Sequence, residues 1–364
     1  MEKRISLVFL GTTGAGPMYS LEMAKALAES RKCRLQVIIS ENVLNLALWK
    51  ATFSGRDVDF HVLKTYRHNK LSVLFSLINI ARQEKLVRLI KGFGANILYI
   101  PFGLMWAPYV FRRVHKNVKI ISTIHDVFPH DVETNPIMNL YKKYAGKASQ
   151  YVDTIVILNN KDRQYVENRT HKKVLVIPHA NFSCYCKGGF VPRPVTKKIA
   201  FLGRIEPYKG ISLLIDAFEQ LKDKGIHLLI AGNGNINESL MSRIVSNNKI
   251  ELLNRYIDDD EFDGIFKKID LVVLPYLRAS QSGVIPMAFA FGKPVVATNV
   301  GALSEQVPVG TGLVVDSDAT SVASAIDWFY EDVSRLSDYA LTAYEYANNE
   351  LTWERSAQLL LEGC

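Results

Sequence analysis

Residues 201–210 read Phe-Leu-Gly-Arg-Ile-Glu-Pro-Tyr-Lys-Gly, between an apolar strand that begins at Ile199 and a helix predicted over 211–222. The strand ends at Gly203, and Arg204 and Lys209 lie on the connecting loop. Arginine offers a planar fork of donors and lysine a point charge, and together they suit a diphosphate. A solvated basic loop is the alternative, but the second half of the chain is acidic, so these cations stand out. We therefore predict an anion site at the carboxyl end of this strand.

A second loop of similar design follows the apolar strand over 269–274. Residues 275–283 read Pro-Tyr-Leu-Arg-Ala-Ser-Gln-Ser-Gly, and a helix begins near Gly283. The N–H groups and the dipole at a helix start attract anions, and Ser280 and Ser282 add donors. A plain serine N-cap is the alternative. Because Arg204 and Lys209 come from a neighbouring loop, the two loops together predict a diphosphate site.

Strand-like and helix-like segments alternate through both halves of the chain. Apolar runs that predict buried strands lie at 6–10, 35–39, 97–100, 119–124 and 154–158, and again at 199–202, 227–231, 269–274 and 294–297. This βαβα order implies mostly parallel sheets with helices on both faces. The predicted fold class is α/β, with two doubly wound Rossmann-like domains in tandem. A Gly- and Pro-rich stretch at 188–198 separates them, which predicts domains over 1–190 and 191–350 and a final helix over 351–364.

Length and composition exclude several classes of protein. The 364 residues exceed one ordinary core, and 48% hydrophobic with 22% charged residues excludes a disordered, collagen-like or coiled-coil protein. The four cysteines are too few and too scattered for a disulfide scaffold or a zinc knuckle. The sequence has neither a signal-peptide pattern nor an uninterrupted spanning segment, so we expect a cytoplasmic protein.

Charge is divided unevenly along the chain. Residues 1–200 contain 31 Lys and Arg against 13 Asp and Glu, a net +18, and residues 201–364 contain 13 against 23, a net −10. A basic half favours an anionic partner. The predicted helix over 71–92 carries Arg82, Lys85 and Arg88, which suggests peripheral binding to an anionic membrane at the inner face of the plasma membrane. A packed helix with snorkelling cations is the alternative. No nucleic-acid recognition motif is present, so we expect no nucleic-acid partner.

A glycine-rich loop follows the first strand, where residues 11–16 read Gly-Thr-Thr-Gly-Ala-Gly. Gly14, Ala15 and Gly16 open a predicted helix, where backbone N–H groups can approach a phosphate. In an NAD(P)-dependent sugar-nucleotide oxidoreductase, Glu41 after the second strand would bind the ribose. Short-chain reductases also need a Tyr-x-x-x-Lys pair late in the domain, but that pair occurs only at 66–70, before the third strand. A tight turn without a ligand is the third interpretation.

Several short motifs accompany these loops. They are Gly-Arg-x-x-x-x-Lys-Gly at 203–210, Asp-Ala-Phe at 216–218, Ile-Ala-Gly-Asn-Gly at 230–234 and Gly-Lys-Pro-Val-Val-Ala-Thr-Asn-Val-Gly-Ala-Leu-Ser-Glu at 292–305. Thr-Ile-His-Asp at 123–126, Ile-Pro-His at 177–179 and Leu-Thr-Trp at 351–353 complete the set. Together these motifs resemble the family 4 (group 1) glycosyltransferases with the GT-B fold, and the resemblance covers residues 199–315 well.

The resemblance implies a fold and an activity. Two Rossmann-like domains would face each other across a cleft, with the C-terminal helix crossing back onto the first. The second domain would bind a nucleotide-sugar donor, and the basic first domain a lipid-linked or oligosaccharide acceptor. The enzyme would be a retaining hexosyltransferase of cell-surface polysaccharide biosynthesis that needs neither a metal nor another cofactor.

The resemblance and the two loops together give a set of candidate site residues. The candidate catalytic residues are His125, Arg204 and Lys209. The candidate donor-binding residues are Gly203, Asn233, Tyr256, Ile257, Ser280, Gln281, Ser282, Gly283, Val284 and Glu305. Gly14, Ala15 and Gly16 are candidates for an acceptor or phosphate loop. His125 follows the strand over 119–124 and would lie beside the transferred sugar, with a core histidine as the alternative; His130 and His179 are weaker candidates.

One departure from the family pattern concerns two acidic positions. Much of the family carries two glutamates eight positions apart around the phosphate-binding turn, and those positions here are Ala279 and Met287. Glu305 is the nearest alternative acid, and an ordinary exposed glutamate is its other interpretation. A catalytically inactive nucleotide-sugar-binding protein is therefore a further hypothesis.

Metal sites are not predicted. The Asp-x-Asp runs at 57–59, 258–260 and 316–318 fit turn and N-cap roles, and no His, Asp or Glu cluster has the spacing of a zinc site.

Overall fold

The first of two sheets contains seven parallel strands. In chain order they are Arg4–Phe9 (β1), Arg34–Ser40 (β2), Asp59–Leu63 (β3), Ile97–Ile100 (β4), Lys119–Ile124 (β5), Thr154–Ile157 (β6) and Lys173–Val176 (β7). Their order in the sheet is β3-β2-β1-β4-β5-β6-β7, so the direction of winding reverses between β1 and β4. The computed structural model describes residues 2–66, 70–128 and 144–364, without the side chains of 70, 71, 73 and 74. His130 lies outside the described residues.

Helices join these strands in the order that parallel pairing requires. They are Gly16–Ser30 (α1), Leu46–Phe53 (α2), Lys70–Ile78 (α3), Ile80–Phe93 (α4), Ala107–Val114 (α5) and Arg163–Thr170 (α6). The single helix predicted over 71–92 is two helices in the structure. The side chain of Asn79 breaks it, because its carbonyl oxygen accepts the backbone N–H of Arg82 at 3.2 Å and so begins α4 with an N-cap.

The second sheet contains six parallel strands. They are Lys198–Leu202 (β8), His227–Ala231 (β9), Ile250–Leu253 (β10), Leu271–Leu274 (β11), Val295–Thr298 (β12) and Gly312–Val315 (β13). Their order is β10-β9-β8-β11-β12-β13. The side chains of β8, β9, β11 and β12 are almost entirely buried, because helices cover both faces of these inner strands.

Eight further helices complete the described residues. They are Ile211–Gln220 (α7), Glu238–Ser246 (α8), Phe262–Phe266 (α9), Val284–Ala290 (α10), Leu303–Gln306 (α11), Ala319–Glu331 (α12), Ser334–Asn349 (α13) and Trp353–Gly363 (α14). The chain divides into two compact units. The first contains residues 1–158, 162–178 and 353–364, and the second contains 159–161 and 179–352.

The last helix, α14, belongs to the first unit. Trp353 meets the ring of Tyr19 on α1 edge to face, with the ring centroids 5.0 Å apart. The side chains of Lys3, Lys119 and Lys173 donate to the last carbonyl groups of α14, which favours that helix end electrostatically. Within residues 2–66, 70–128 and 144–364, no helix combines the length and the hydropathy needed to cross a bilayer.

The two parallel α/β units confirm the predicted fold class. Each sheet presents the carboxyl ends of its strands along one edge, which is where doubly wound sheets bind ligands. In the second unit the loops after β8 and β11 leave this edge, and they carry most of that unit's candidate site residues.

Candidate functional site

Backbone contacts hold the loop after β8 against the loop after β9. The N–H of Gly203 donates to the carbonyl of Ala231 at 3.0 Å, and that of Ile205 donates to Asn233 at 2.9 Å. Gly232 has a φ of 148°, and a Cβ atom there would lie 1.9 Å from the carbonyl oxygen of Gly203. Only glycine permits this approach, so the position of the loop that carries Arg204 is fixed by the backbone.

The same loop also packs against the loop after β11. Residues 207–209 form one 3₁₀ turn, and Gly210 follows it with a φ of 72°. A Cβ atom on Gly210 would lie 1.8 Å from the carbonyl oxygen of Pro275. The N–H of Leu277 donates to the carbonyl of Tyr208 at 2.8 Å. The structure therefore brings together the two loops that the sequence singles out.

Arg204 and Lys209, the two cations predicted to bind an anion, lie on the loop after β8. Arg204 is exposed and Lys209 is half-buried. Among the residues that the structure describes, neither side chain donates a hydrogen bond or pairs with a carboxylate. The ammonium of Lys209 instead lies 3.7 Å from the ring centroid of Tyr276 and 5.3 Å from that of Tyr208. We call these two cations, which share one loop at the carboxyl end of β8 and have no carboxylate partner among the described residues, the clamp.

The turn before α10 is held by its own hydrogen bonds. Ser282 is buried, its N–H donates to Oε1 of Gln306 at 2.7 Å, and Nε2 of Gln306 donates to its carbonyl at 3.2 Å. The hydroxyl of Ser282 accepts the N–H of Val284 at 3.3 Å and lies 3.2 Å from the hydroxyl of Tyr276. Ser282 therefore fixes the shape of the turn, and Gly283 and Val284 follow it into the helix.

Gln281 stands out in this turn. Its Oε1 atom is buried, yet it accepts no hydrogen bond from the described part of the chain. A buried amide oxygen without a donor costs about 1–3 kcal/mol. A ligand that donates a hydrogen bond to this oxygen would remove that cost, so Gln281 offers a neutral acceptor in the turn before α10.

Glu305 binds the backbone of a distant segment. Its two carboxylate oxygens accept the N–H groups of Asn160 at 2.6 Å and Lys161 at 2.9 Å. The amide of Asn159 donates to the carbonyl of Ser280 at 3.4 Å, which ties the same segment to the turn. Both oxygens of the predicted alternative acid are thus engaged within the protein.

The remaining second-unit candidates lie at the ends of β9 and β10. Asn233 is exposed and its carbonyl accepts the N–H of Ile205, so it adjoins the clamp loop. Tyr256 is 45% exposed and Ile257 is buried. Burial, followed by Asp259 and Asp258, raises the pKa of Tyr256 above its usual value. Ile257 packs in the hydrophobic core of the second unit.

His179 packs beneath the turn. It is 5% exposed, Nδ1 donates to the carbonyl of Ala180 at 2.8 Å, and burial lowers its pKa to about 4. The family-like motif at 177–179 pointed to this position only weakly, and nothing in the sequence indicated that the imidazole would be buried beside Gly283.

In the first unit, His125 belongs to an aromatic cluster. Its Nε2 lies 2.8 Å from the carbonyl oxygen of Pro101, its ring stacks on Phe102 with centroids 3.8 Å apart, and Tyr19 meets it edge to face at 4.7 Å. The half-buried ring is therefore held in a fixed orientation at the carboxyl end of β5.

The glycine-rich loop adjoins the same cluster. A Cβ atom on Gly16 would lie 3.3 Å from Phe102, whereas Gly14, at a φ of 81°, has open space around it. Gly14 and Ala15 are exposed. This loop and His125 therefore both adjoin the ring of Phe102.

No group of three or more His, Cys, Asp or Glu in the described ranges could hold a metal ion. Asp318, in the last Asp-x-Asp run, caps α12 by accepting the N–H and the hydroxyl of Ser321 at 2.8 and 2.7 Å.

Comparisons with known proteins identify relatives of this chain. A family model described as "Glycosyl transferases group 1" matches residues 196–332. An uncharacterised glycosyltransferase of Methanocaldococcus jannaschii is 34% identical in an alignment 282 positions long, which covers 72% of this chain and 77% of that protein. A D-inositol 3-phosphate glycosyltransferase of Pseudarthrobacter chlorophenolicus is 32% identical in an alignment 190 positions long, which covers 46% of this chain and 42% of that protein. The match therefore spans less than half the length of that relative.

A solved structure shares the fold. HepE of Anabaena in complex with UDP superimposes with a TM-score of 0.70 at 16% identity, over 99% of this chain and 98% of that one. HepE has also been solved in complex with UDP-glucose.

Proposed function

The chain belongs to the group 1 glycosyltransferases, GT4-like proteins with the GT-B fold, and we propose that it transfers a hexose from a nucleotide-sugar donor to an acceptor hydroxyl with retention. The observation that carries this proposal is the clamp, in which Arg204 and Lys209 lack a carboxylate partner among the described residues. A nucleoside diphosphate supplies the anion that such a site would bind.

The chemical step needs little from the protein besides charge stabilisation. The bond between the anomeric carbon and the diphosphate oxygen breaks, and its electron pair stays on the departing diphosphate. The acceptor oxygen forms the new bond to the anomeric carbon, and its proton passes to an oxygen of the departing diphosphate. Arg204 and Lys209 would stabilise the negative charge that grows on the leaving group, and such stabilisation is often the largest single contribution to catalysis.

Gln281 and His125 are proposed to bind the sugar part of the substrates. The unsatisfied Oε1 of Gln281 would accept a hydroxyl of the donor, a role that fits a chain with Ala279 and Met287 where much of the family has glutamates. His125, oriented by Phe102 and Tyr19, would lie at the sugar, and Gly14 to Gly16 would meet the acceptor or its phosphate. Glu305 is the weaker donor candidate because its oxygens already bind backbone N–H groups.

Uracil is the proposed base of the donor. HepE, which shares the fold, has been solved with UDP and with UDP-glucose. Tyr256 and Ile257 are the proposed residues of the base pocket. For the acceptor, we propose a lipid-linked or oligosaccharide molecule of a cell-surface polysaccharide pathway. The net +18 of residues 1–200 favours an acceptor that carries an anionic group.

Residues 75–88 are the proposed contact with an anionic membrane at the inner face of the plasma membrane. Phe75, Ile78 and Ile80 are 65%, 69% and 57% exposed, and Lys85 and Arg88 are exposed on the following helix. Apolar side chains beside cations are the composition of an interfacial helix.

A screen of nucleotide sugars tests the proposed function. The purified protein is incubated with UDP-, GDP- and dTDP-hexoses, with and without oligosaccharide or lipid-linked acceptors, and release of the nucleoside diphosphate is followed. We expect release from one donor class, with more release when the acceptor is present. Binding without any release would favour the inactive binding protein, and reduction of NAD(P) with a sugar nucleotide would favour the oxidoreductase.

A further inference from the structure

Tyr276 joins the two loops of the candidate site. It lies two residues beyond β11 with no exposed surface, its ring faces the ammonium of Lys209, and its hydroxyl faces Ser282. We infer that Tyr276 is a positioning residue, which holds the Lys209 ammonium in place to meet the diphosphate of the donor. This inference rests on the proposed function and adds to it a residue that would not itself touch the substrate.

An aromatic ring can hold the Lys209 ammonium in place without neutralising its charge. A lysine side chain has four rotatable carbon–carbon bonds and a compact charge, so it needs a restraint to act at a fixed point. A carboxylate would restrain it but would also neutralise the charge that the diphosphate requires. An aromatic face attracts the ammonium through its quadrupole and leaves the full positive charge available. Lys209 is held in this aromatic way, because its ammonium lies over the rings of Tyr276 and Tyr208. It has no carboxylate partner among the described residues.

Tyr276 is itself firmly placed. Its carbonyl accepts the hydroxyl of Thr298 at 2.5 Å, and Phe201 meets its ring edge to face with centroids 6.5 Å apart. The hydroxyl lies 3.2 Å from that of Ser282, whose backbone is fixed by Gln306. A ring held at its backbone, its edge and its hydroxyl can transmit a defined position to the cation above it.

This geometry separates the ring from the hydroxyl. The ring face carries the contact with Lys209, so Tyr276→Phe should preserve most donor binding. Tyr276→Leu removes the quadrupole and should lower donor affinity and kcat/KM by roughly 10-fold, within the range expected for a partly desolvated cation–π contact. If Tyr276 acts through Lys209, the leucine change should cost little once Lys209 is already alanine.

A double-mutant cycle tests the inference. The wild type, Tyr276→Leu, Lys209→Ala and the double variant are compared for nucleoside diphosphate affinity by calorimetry and for kcat and KM with the best donor. Strong non-additivity is expected, with the double variant close to Lys209→Ala. Additive losses, or Tyr276→Phe as damaging as Tyr276→Leu, would overturn the inference.

Because Tyr276 is fully buried, Tyr276→Leu can fail to fold, and a second pair of variants tests the ring face without changing its shape. Replacing residue 276 with phenylalanine and then with 3,4,5-trifluorophenylalanine keeps the shape of the ring but weakens its quadrupole. Affinity should fall with fluorination in the wild-type background and stay constant in the Lys209→Ala background. Equal affinity for both rings in the wild-type background would contradict the role of the ring face.

Different results would overturn the clamp and the role of Tyr276. If the wild type binds no nucleoside diphosphate, or if Lys209→Ala binds as well as the wild type, the proposed function is wrong at its clamp. If the wild type binds and Lys209 contributes, but the cycle is additive, only the inference on Tyr276 is wrong.

Discussion

The Nε2 atom of His179 lies 3.3 Å from the position that a Cβ atom on Gly283 would occupy. The turn that carries Gln281 therefore rests on a buried imidazole, and burial lowers the pKa of this histidine to about 4. The neutral ring is the form that fits this place, because a charged ring would lose its hydration on burial.

Acidification should destabilise the second unit through His179. In the unfolded chain the pKa is near 6.5, so the unfolded state takes up a proton first as the pH falls. The contribution of His179 to stability is thus fully present above pH 6.5 and is lost between pH 6.5 and pH 4. At pH 5 the wild type should have lost about 2 kcal/mol more, relative to pH 7.5, than His179→Gln. Urea unfolding at the two pH values measures this difference.

The control is His227→Gln, which changes an exposed histidine of the same unit at the start of β9. It should keep the pH dependence of the wild type. A His179→Gln protein with the same loss of stability as the wild type would show that His179 does not titrate in this window.

Removal of either clamp cation should abolish most of the activity. Arg204→Ala or Lys209→Ala should each lower kcat/KM by about 100-fold or more, because each change removes a positive charge that stabilises the negative charge growing on the diphosphate. Unfolding temperatures should change little, since loop cations contribute little to stability. Lys268→Ala, an exposed cation before β11, is the matched control and should retain full activity. Near-normal turnover in both clamp variants would mean that the clamp is misassigned.

Transfer should not require a divalent metal. The described residues hold no cluster of metal ligands, and Asp318 is used as a helix cap. Turnover in excess EDTA should equal turnover without it, because the clamp supplies the positive charge that Mg²⁺ supplies in metal-dependent enzymes. Activity lost to EDTA and restored by Mg²⁺ or Mn²⁺ would contradict this prediction and would make Asp316 and Asp318 candidate metal ligands.

Binding to vesicles should depend on their charge and on salt. Each Lys or Arg near an anionic bilayer contributes about 1 kcal/mol, and salt screens the attraction over about 8 Å at physiological strength. Sedimentation with anionic vesicles should therefore be strong at low salt, weak near molar salt and absent with neutral vesicles.

Charge reversal locates the surface that binds. Lys85→Glu/Arg88→Glu in the first unit should weaken sedimentation more than Lys224→Glu/Lys268→Glu in the second. All four side chains are exposed. Arg82 is left unchanged because its guanidinium donates to the carbonyl of Thr65 at 2.6 Å. Equal effects of the two double reversals would mean that the basic first half serves the acceptor or solubility.

The inner strands of both sheets were predictable and the edge strands were not. Each inner strand is buried on both faces and reads as a continuous apolar run. The strands missed from the sequence are β3, β7, β10 and β13, which are the four edges. An edge strand such as β3, with Asp59 and His61, is half-buried and alternates with polar residues, so its apolar signal is weak.

The site was predictable where charge follows a strand. Arg204 and Lys209 are visible because they interrupt an apolar pattern at a place where such sheets bind ligands. Tyr276 was not, because a tyrosine after a buried strand is indistinguishable from core in the sequence. The bonds from Glu305 to Asn160 and Lys161 join residues about 145 positions apart, and no local pattern encodes them.

Calorimetric titration tests whether Arg204 and Lys209 bind the diphosphate of a nucleotide-sugar donor. UDP, GDP and NAD are titrated into the wild type and into Arg204→Ala/Lys209→Ala. We expect one nucleoside diphosphate to bind the wild type and NAD not to bind. The double variant should bind the diphosphate at least 100-fold more weakly, because it lacks both charged contacts to phosphate. Equal binding of the diphosphate to both proteins, or binding of NAD alone, would contradict this assignment of the clamp.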